Sequence, residues 1–186
     1  GEDAMIFDFG KNIAGVVRVQ LPDMLKKGQK LTITHTEELT EDGKLFRDTL
    51  RTAMAEDTYI ACGTERDLDY WQSRFTYHGF RYARIEGLGA DFDMTEVNAI
   101  ELRTEVDSMS GFTCGNTLIS KIHDICVNTE RANIHSILTD CPQRNERLGW
   151  TGDTQVFVNT ACYQMDCKDF YRKFMRDLRE DQTRYY

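Results

Sequence analysis

The hydrophobic pattern changes its period once along the 186 residues, and this change constrains the fold more than any other feature. Up to about residue 104, apolar residues lie in short runs rich in Val, Ile and Phe, separated by turn-forming residues. From about residue 116 onward, they recur at helical spacing. Strands followed by helices, without alternation, indicate two segregated units rather than βαβ repeats. The sequence therefore predicts an α+β fold by segregation.

Six runs in the first half have the composition of β-strands. They are residues 5–9, 13–21, 31–35, 58–62, 75–85 and 97–102. Gly10-Lys11-Asn12 separates the first two runs and predicts a turn. Residues 37–57 are polar and irregular, which predicts a long loop with at most one helical turn. Together these short strands predict an antiparallel β-sandwich.

Three helices are predicted in the second half. The first begins after an N-cap at Asn116 and runs to about residue 137. Thr151 or Asp153 can cap a second helix that runs to about residue 165, and a third begins at Asp166. The third helix carries an apolar stripe made of Phe170, Phe174 and Leu178.

The boundary between the two parts is expected in the small polar stretch at residues 107–111. This gives a β-sandwich domain at residues 1–108 and a helical domain at residues 109–186. The sequence starts without Met and ends without a helix stop signal, so we expect a piece of a longer chain.

Charge and hydropathy exclude two classes of partner. The formal net charge is −8, which argues against a nucleic-acid partner because phosphate binding needs a basic surface. The sequence holds no run of 18 apolar residues, so no membrane-spanning helix is expected.

The six cysteines are interpreted as buried free thiols, because most lie among apolar residues and none forms a two-residue-spaced pair. The alternative is structural zinc bound by Cys114, His123, Cys126 and His135, but helical spacing explains those positions equally well. A disulfide framework is not expected in a chain with this much core.

Three short motifs in the first half receive ordinary structural interpretations. Asp8-Phe9-Gly10 matches the kinase metal-binding tripeptide, but no Gly-rich loop precedes it, so it is read as a strand end. His35, with Glu37 and Glu38 after it, has the residue types of half a metal site, but it is read as a solvated strand edge. His78 lies in an aromatic strand, where we expect it to make a structural hydrogen bond.

The densest group of reactive side chains lies in residues 140–153, which we call the signature segment. It holds three carboxylates, two guanidiniums and an indole: Asp140, Arg144, Glu146, Arg147, Trp150 and Asp153. Glycoside hydrolysis needs one carboxylic acid to protonate the leaving oxygen and a second carboxylate to activate water or attack carbon. Polar side chains must also bind the sugar hydroxyls. The segment offers these residue types, although a salt-bridged loop between helices fits the spacing as well.

The signature segment closely resembles the signature of bacterial α-L-rhamnosidases, glycoside hydrolase family 78. Residues 8–15, 57–59 and 75–82 resemble the β-sandwich that precedes the catalytic domain in this family, and residues 170–173 fit its third helical segment. The resemblance therefore covers nearly the whole chain.

The resemblance implies that the helices are the first ones of an (α/α)6 catalytic barrel, and that the enzyme inverts the anomeric configuration. It implies that Glu146 is the general acid. Asp140, Arg144, Trp150 and Asp153 match positions that hold the rhamnose in the −1 subsite. No metal or other cofactor is implied.

One departure from the family pattern is Asn145, where members commonly have Asp. It removes a negative charge beside Glu146, and we do not expect it to abolish activity. The family's general base is a Glu in a later barrel helix, and no acid in this chain is a convincing substitute. We therefore expect the isolated chain to be inactive, and its partners to be the remaining helices of the parent catalytic domain.

The leading hypothesis is a fragment of an inverting α-L-rhamnosidase that acts on terminal rhamnose in plant glycosides or polysaccharides, in the bacterial cytoplasm or periplasm. The alternative is a carbohydrate-binding or structural β-sandwich module whose helices only support it. A third hypothesis is a related hydrolase with another deoxy or uronic sugar in the same pocket. Nothing in the sequence predicts the aglycone or the oligomeric state.

Overall fold

The computed structural model describes residues 4–21, 25–63, 70–89, 96–109 and 111–185. The chain forms two compact units. The sheet unit consists of residues 1–102 together with Cys141–Glu146. The helical unit consists of Arg103–Asp140 and Arg147–Tyr186. Strands and helices are segregated as predicted, which confirms the α+β class, whereas the domain division at residue 108 stays a prediction.

The described part of the sheet unit contains eight strands and one short 3-10 helix. They are β1 (Ala4–Val19), β2 (Lys30–Thr36), β3 (Glu38–Leu39), β4 (Leu45–Phe46), η1 (Asp48–Leu50), β5 (Glu56–Ile60), β6 (Trp71–Gln72), β7 (His78–Glu86) and β8 (Val97–Glu101). Six of them form one antiparallel sheet in the order β5-β2-β7-β1-β6, and β8 also pairs with β1. Strands β3 and β4 form a separate two-stranded hairpin.

The turn predicted at Gly10-Lys11-Asn12 is wrong, because β1 continues through these residues. Its pairing with β7 shifts register between Asp8 and Ile13. Gly10 has a φ of 75°, and its backbone N–H donates to Asp8 Oδ1 at 2.8 Å. A glycine in this conformation accommodates a local irregularity without ending the strand.

The core of the sheet unit follows the alternation that predicted its strands. Leu31 and Ile33 on β2 are each 1% exposed and pack with Phe80 and Ile85 of β7. The same strand carries His35 inward, where it is fully buried. The prediction that His35 lies at a solvated strand edge is therefore wrong.

The helical unit contains α1 (Thr117–Ala132), β9 (Ile134–His135), β10 (Ile137–Leu138), α2 (Thr151–Gln164) and α3 (Lys168–Tyr185). The N-cap at Asn116 is confirmed, since its side chain accepts a hydrogen bond from the Leu118 backbone N–H. The predicted extension of α1 to residue 137 is wrong. Ser136 has a φ of 66°, which a right-handed helix does not allow, and β9 and β10 form a hairpin there.

The predicted starts of the second and third helices need correction. Helix α2 begins after Trp150, which makes no side-chain cap, so neither Thr151 nor Asp153 is its N-cap. Helix α3 begins at Lys168, two residues after the predicted Asp166. The first intrahelical hydrogen bond of α2 runs from the Thr154 backbone N–H to the Trp150 carbonyl, as expected for an N-cap at Trp150.

The apolar faces of the helices are only partly covered. On α3, Phe170 and Phe174 are buried and Leu178 is half-buried, so most of the predicted stripe faces the core. On α1, Leu118 and Ile125 are exposed although they follow the helical spacing of a core face. Among the described helices, none has the length and apolar character needed to cross a membrane.

All six cysteines are free, but the prediction that they are buried is wrong for four of them. The exposed thiols are Cys62, Cys114, Cys126 and Cys162. The alternative zinc site was made of Cys114, His123, Cys126 and His135. Among the described residues, the groups of side chains close enough to bind a metal do not include this set. Only His123 and Cys126 lie in α1, whereas Cys114 precedes the helix and His135 lies in β9.

Candidate active site

The middle of the signature segment packs within the sheet unit. Cys141–Glu146 belongs to that unit although its residues are far in sequence from the strands. Cys141 is buried, and Pro142 and Gln143 lie against Gly79 of β7. The absence of a side chain at Gly79 permits this close approach.

Glu146 is held in an ion pair within this segment. The Nε and Nη2 atoms of Arg144 each lie 3.1 Å from Glu146 Oε2. The Glu146 side chain is 23% exposed, so it is neither buried nor fully hydrated. The structure therefore brings the predicted acid and one predicted sugar-binding residue together.

Arg144 also acts on a second carboxyl of the sheet unit. Burial raises the pKa of Glu37, while a hydrogen bond from Asn12 and the charge of Arg144 oppose the rise. The Asn12 side-chain amide donates to Glu37 Oε1 at 2.7 Å. Glu37 thus adds a second carboxyl near Arg144 in this unit.

Two other predicted residues lie in the helical unit and line the same cavity. Asp140 and Asp153 both border a space of about 520 Å³ between the end of α1 and the start of α2. A cavity of this volume is in the range of small-molecule sites. Asp140 Oδ1 accepts a hydrogen bond from the Leu148 backbone N–H at 3.4 Å, and Asp153 lies in the first turn of α2.

Trp150 lies at the start of α2 and is 43% exposed. Its carbonyl accepts hydrogen bonds from the backbone and hydroxyl of Thr154. The ring is not part of the cavity wall that contains Asp140 and Asp153. Its proposed role as a sugar-binding residue stays a prediction.

Sequence reasoning missed one carboxyl at this cavity. Glu130, near the end of α1, lines the cavity and is 3% exposed. Burial raises its pKa, and the Cys167 thiol donates to its Oε1 at 3.8 Å. Burial and the neighbouring Glu130 also raise the pKa of Cys167 to about 12. The only signal in the sequence was a Glu in a helix, which normally indicates an exposed position.

A second group missed from the sequence contacts the signature segment from within the sheet unit. Arg51 Nη1 lies 3.0 Å from Glu146 Oε2. The Asn145 side-chain amide donates to the Thr52 hydroxyl. Both contacts join residues more than ninety positions apart, so no local pattern could have indicated them.

The most buried polar cluster of the sheet unit contains His35, Asp57 and His78. His78 Nε2 lies 2.9 Å from Asp57 Oδ1, which confirms the predicted structural hydrogen bond. The two imidazoles stack with centroids 4.1 Å apart and an interplanar angle of 20°. Because the nitrogen lone pairs lie in the ring planes, nearly parallel rings cannot direct two of them at one ion. The arrangement fits a hydrogen-bonded support for the sheet rather than a metal centre.

Comparison with known proteins gives a match in each half of the chain. Residues 1–103 match the bacterial alpha-L-rhamnosidase concanavalin-like domain. Residues 107–185 match the bacterial alpha-L-rhamnosidase 6 hairpin glycosidase domain. The family resemblance inferred from the signature segment is therefore confirmed.

Individual proteins and solved structures with the same family name are also similar to this chain. An alpha-L-rhamnosidase of Formosa agariphila is 36% identical over 178 residues, which cover 94% of this chain and 18% of the relative. The structure of an alpha-L-rhamnosidase from Dictyoglumus thermophilum aligns with a TM-score of 0.87 at 37% identity, covering 96% of this chain and 20% of that one. The crystal structure of the Streptomyces avermitilis alpha-L-rhamnosidase complexed with L-rhamnose aligns with a TM-score of 0.89 at 34% identity. The alignment covers 97% of this chain and 17% of that one.

These alignments span most of this chain but only about a fifth of each relative's length. The matched stretch contains strands that match one family domain and helices that match the other. On both halves, the chain belongs to the bacterial α-L-rhamnosidase family of glycosidases.

Proposed function

We propose that the protein carrying this chain is an inverting glycoside hydrolase that releases terminal α-L-rhamnose from glycosides or polysaccharides. The observation that carries the proposal is the match of both halves of the chain to domains of α-L-rhamnosidases. Glu146 is the proposed general acid, and Asp140, Arg144, Trp150 and Asp153 are the proposed sugar-binding residues.

In this mechanism, the Glu146 carboxylic acid donates its proton to the glycosidic oxygen as the bond to the anomeric carbon breaks. A water molecule attacks that carbon from the opposite face and loses a proton to a general base. The two carboxyls of an inverting site stand roughly 6.5–9.5 Å apart, which leaves room for the water. We propose that the base is a glutamate outside residues 1–186.

Two features support the proposal that further helices complete the site. The matched family domain is described by six hairpins, and the described residues supply α1, α2 and α3. The apolar side chains of Leu118 and Ile125 on α1 are exposed, and burying such side chains against another helix stabilises a fold.

The test uses the full-length protein and aryl α-L-rhamnosides. We expect release of L-rhamnose, with the β-anomer as the first product in a proton NMR time course. Glu146→Gln should lower kcat by about 10²–10⁴-fold, the range typical of general acid catalysis. The matched control is Glu105→Gln, which changes a glutamate that is exposed in the helical unit.

A second comparison separates acid catalysis from sugar binding. A leaving group of low pKa needs little protonation, so Glu146→Gln should retain far more activity on a dinitrophenyl rhamnoside than on an alkyl rhamnoside. An equal loss on both substrates would argue against Glu146 as the acid. Hydrolysis by the isolated 186-residue chain would contradict the proposal that the base lies elsewhere.

A further inference from the structure

Arg51 reaches the proposed general acid from a loop that the signature segment does not include. Its Nη1 atom lies 3.0 Å from Glu146 Oε2, the same oxygen that Arg144 contacts. Arg144 is only two residues before Glu146 and belongs to the same segment. Arg51 is therefore the one of these two cations that can fix the carboxylate relative to the sheet.

The backbone at Arg51 is held in a conformation that few side chains adopt. Arg51 follows η1 with φ 55° and ψ −115°. Residues in such regions are strained and persist only where surrounding contacts enforce them. Here the Arg51 backbone N–H donates to the Asp48 carbonyl, and Leu50, which is 1% exposed, anchors the turn in the core.

Thr52, the residue after Arg51, makes a second contact with the signature segment. Thr52 accepts a hydrogen bond from the side-chain amide of Asn145. Two consecutive residues of the loop thus contact two consecutive residues of the signature segment. A pair of contacts fixes orientation as well as distance, which a single ion pair on flexible side chains does not do.

We propose that Arg51 is a positioning residue for Glu146, aiming its carboxyl at the glycosidic oxygen. This inference rests on the proposed function. Catalysis by a general acid depends on hydrogen-bond reach to the reacting oxygen, and small displacements of a catalytic group lower the rate steeply. In this role Arg51 acts through its contact with Glu146.

The test measures kcat and KM of the full-length protein for Arg51→Gln, Arg51→Lys and Glu146→Gln on rhamnosides with activated and with poor leaving groups. Arg51→Gln should lower kcat on the poor leaving group by about 10–100-fold, with little change in KM, and by much less on the activated one. Arg51→Lys keeps the charge and should recover part of the loss. Arg84→Gln is the control, because it removes another sheet-unit arginine whose partner is Glu86.

A second readout does not depend on activity. Thermal unfolding of Arg51→Gln, Glu146→Gln and the double variant should give non-additive shifts, as expected for residues in direct contact. Additive shifts, or equal kcat losses on both kinds of leaving group, would overturn the positioning role. If the wild-type protein hydrolyses no rhamnoside at all, the proposed function fails, and the positioning role fails with it even where the shifts are non-additive.

Discussion

Gly79 leaves just enough room for the backbone of Gln143. A Cβ placed on Gly79 would stand 2.8 Å from the Gln143 nitrogen, closer than real Cβ contacts approach. The same Cβ would stand 2.8 Å from Pro142 Cγ. The position of the residues that precede Glu146 therefore depends on the absence of a side chain at Gly79.

Replacing Gly79 by alanine should move Cys141–Glu146 away from the sheet. We expect the free energy of unfolding to fall by about 1–3 kcal/mol, as in other overpacked sites, and kcat to fall about tenfold or more through displacement of Glu146. Denaturant unfolding and steady-state kinetics on the full-length protein measure both. Gly115→Ala is the control, because its Cβ would meet nothing within 4 Å. Unchanged kcat in Gly79→Ala would show that Glu146 does not depend on this contact.

His35 should make the protein sensitive to acid. Burial, with a smaller contribution from His78, lowers the pKa of His35 to about 3 from an ordinary value of 6.5. Below 6.5 the unfolded chain binds a proton that the folded one does not, so stability is full above that pH and is lost as pH falls toward 3. The loss should reach about 2 kcal/mol by roughly pH 5, at 1.36 kcal/mol for each pKa unit.

Protonation of Asp57 extends the loss of folding stability to lower pH. Burial alone would raise the pKa of Asp57, but hydrogen bonds from His78 and Ser73 lower it below its ordinary value of 3.8. Stability that depends on the ionised Asp57 is therefore lost as pH falls below 3.8. Unfolding of wild type and His35→Asn across this range checks both statements. The variant should be less stable throughout but lose the slope between about pH 6.5 and 5, and an unchanged slope would exclude His35 as its source.

The contribution of Glu130 to stability should depend on pH in the direction opposite to that of His35. Burial raises its pKa above 4.5, so the folded state holds a proton that the unfolded state has released, and stability falls as pH rises from 4.5 through the raised pKa. Glu130→Gln removes the cost of burying a carboxylate and should raise the free energy of unfolding at neutral pH by about 1 kcal/mol, the scale of one buried polar group. Glu180→Gln, on the exposed side of α3, is the control. A variant that is less stable than wild type at neutral pH would contradict the raised pKa of Glu130.

Asp140 and Asp153 should contribute to sugar affinity. Hydrogen bonds from a sugar to a charged group are worth about 1.5–3 kcal/mol, so Asp153→Asn should weaken L-rhamnose binding about 10–100-fold in calorimetry with the full-length protein. Asp169→Asn controls for the loss of a carboxylate in the first turn of a helix, since Asp169 has that position in α3. Equal effects of the two substitutions would indicate helix stability rather than sugar contact.

The fold was predictable where the pattern of side chains decides the structure. The alternation of Leu31 and Ile33 with threonines gave β2, and the helical spacing after Asn116 gave α1. The errors in the bounds of β1 and α1 occur where a single backbone conformation decides. Gly10 continues β1 through an irregularity, and Asn133 ends α1 after Ala132 with a φ of −117° and a ψ of 8°. Neither conformation leaves a reliable mark in the sequence.

The candidate site was predictable only as a list of residue types. The signature segment supplied the family and the proposed roles. It did not indicate that Arg51 pairs with Glu146, that Glu130 lines the cavity, or that Asp140 and Asp153 share it. Contacts between residues far apart in sequence follow from the packing of each unit, which has no local signature.

The assignment of Cys141–Glu146 to the sheet unit has a consequence for how such enzymes can change during evolution. By sequence, the proposed acid belongs to the helical half, but by packing it belongs with the strands. A recombination event between the two halves would therefore replace Arg51 beside Glu146, Thr52 beside Asn145 and Gly79 beside Gln143. We expect the two halves to be inherited together, with substitutions at these three positions accompanied by changes in the signature segment.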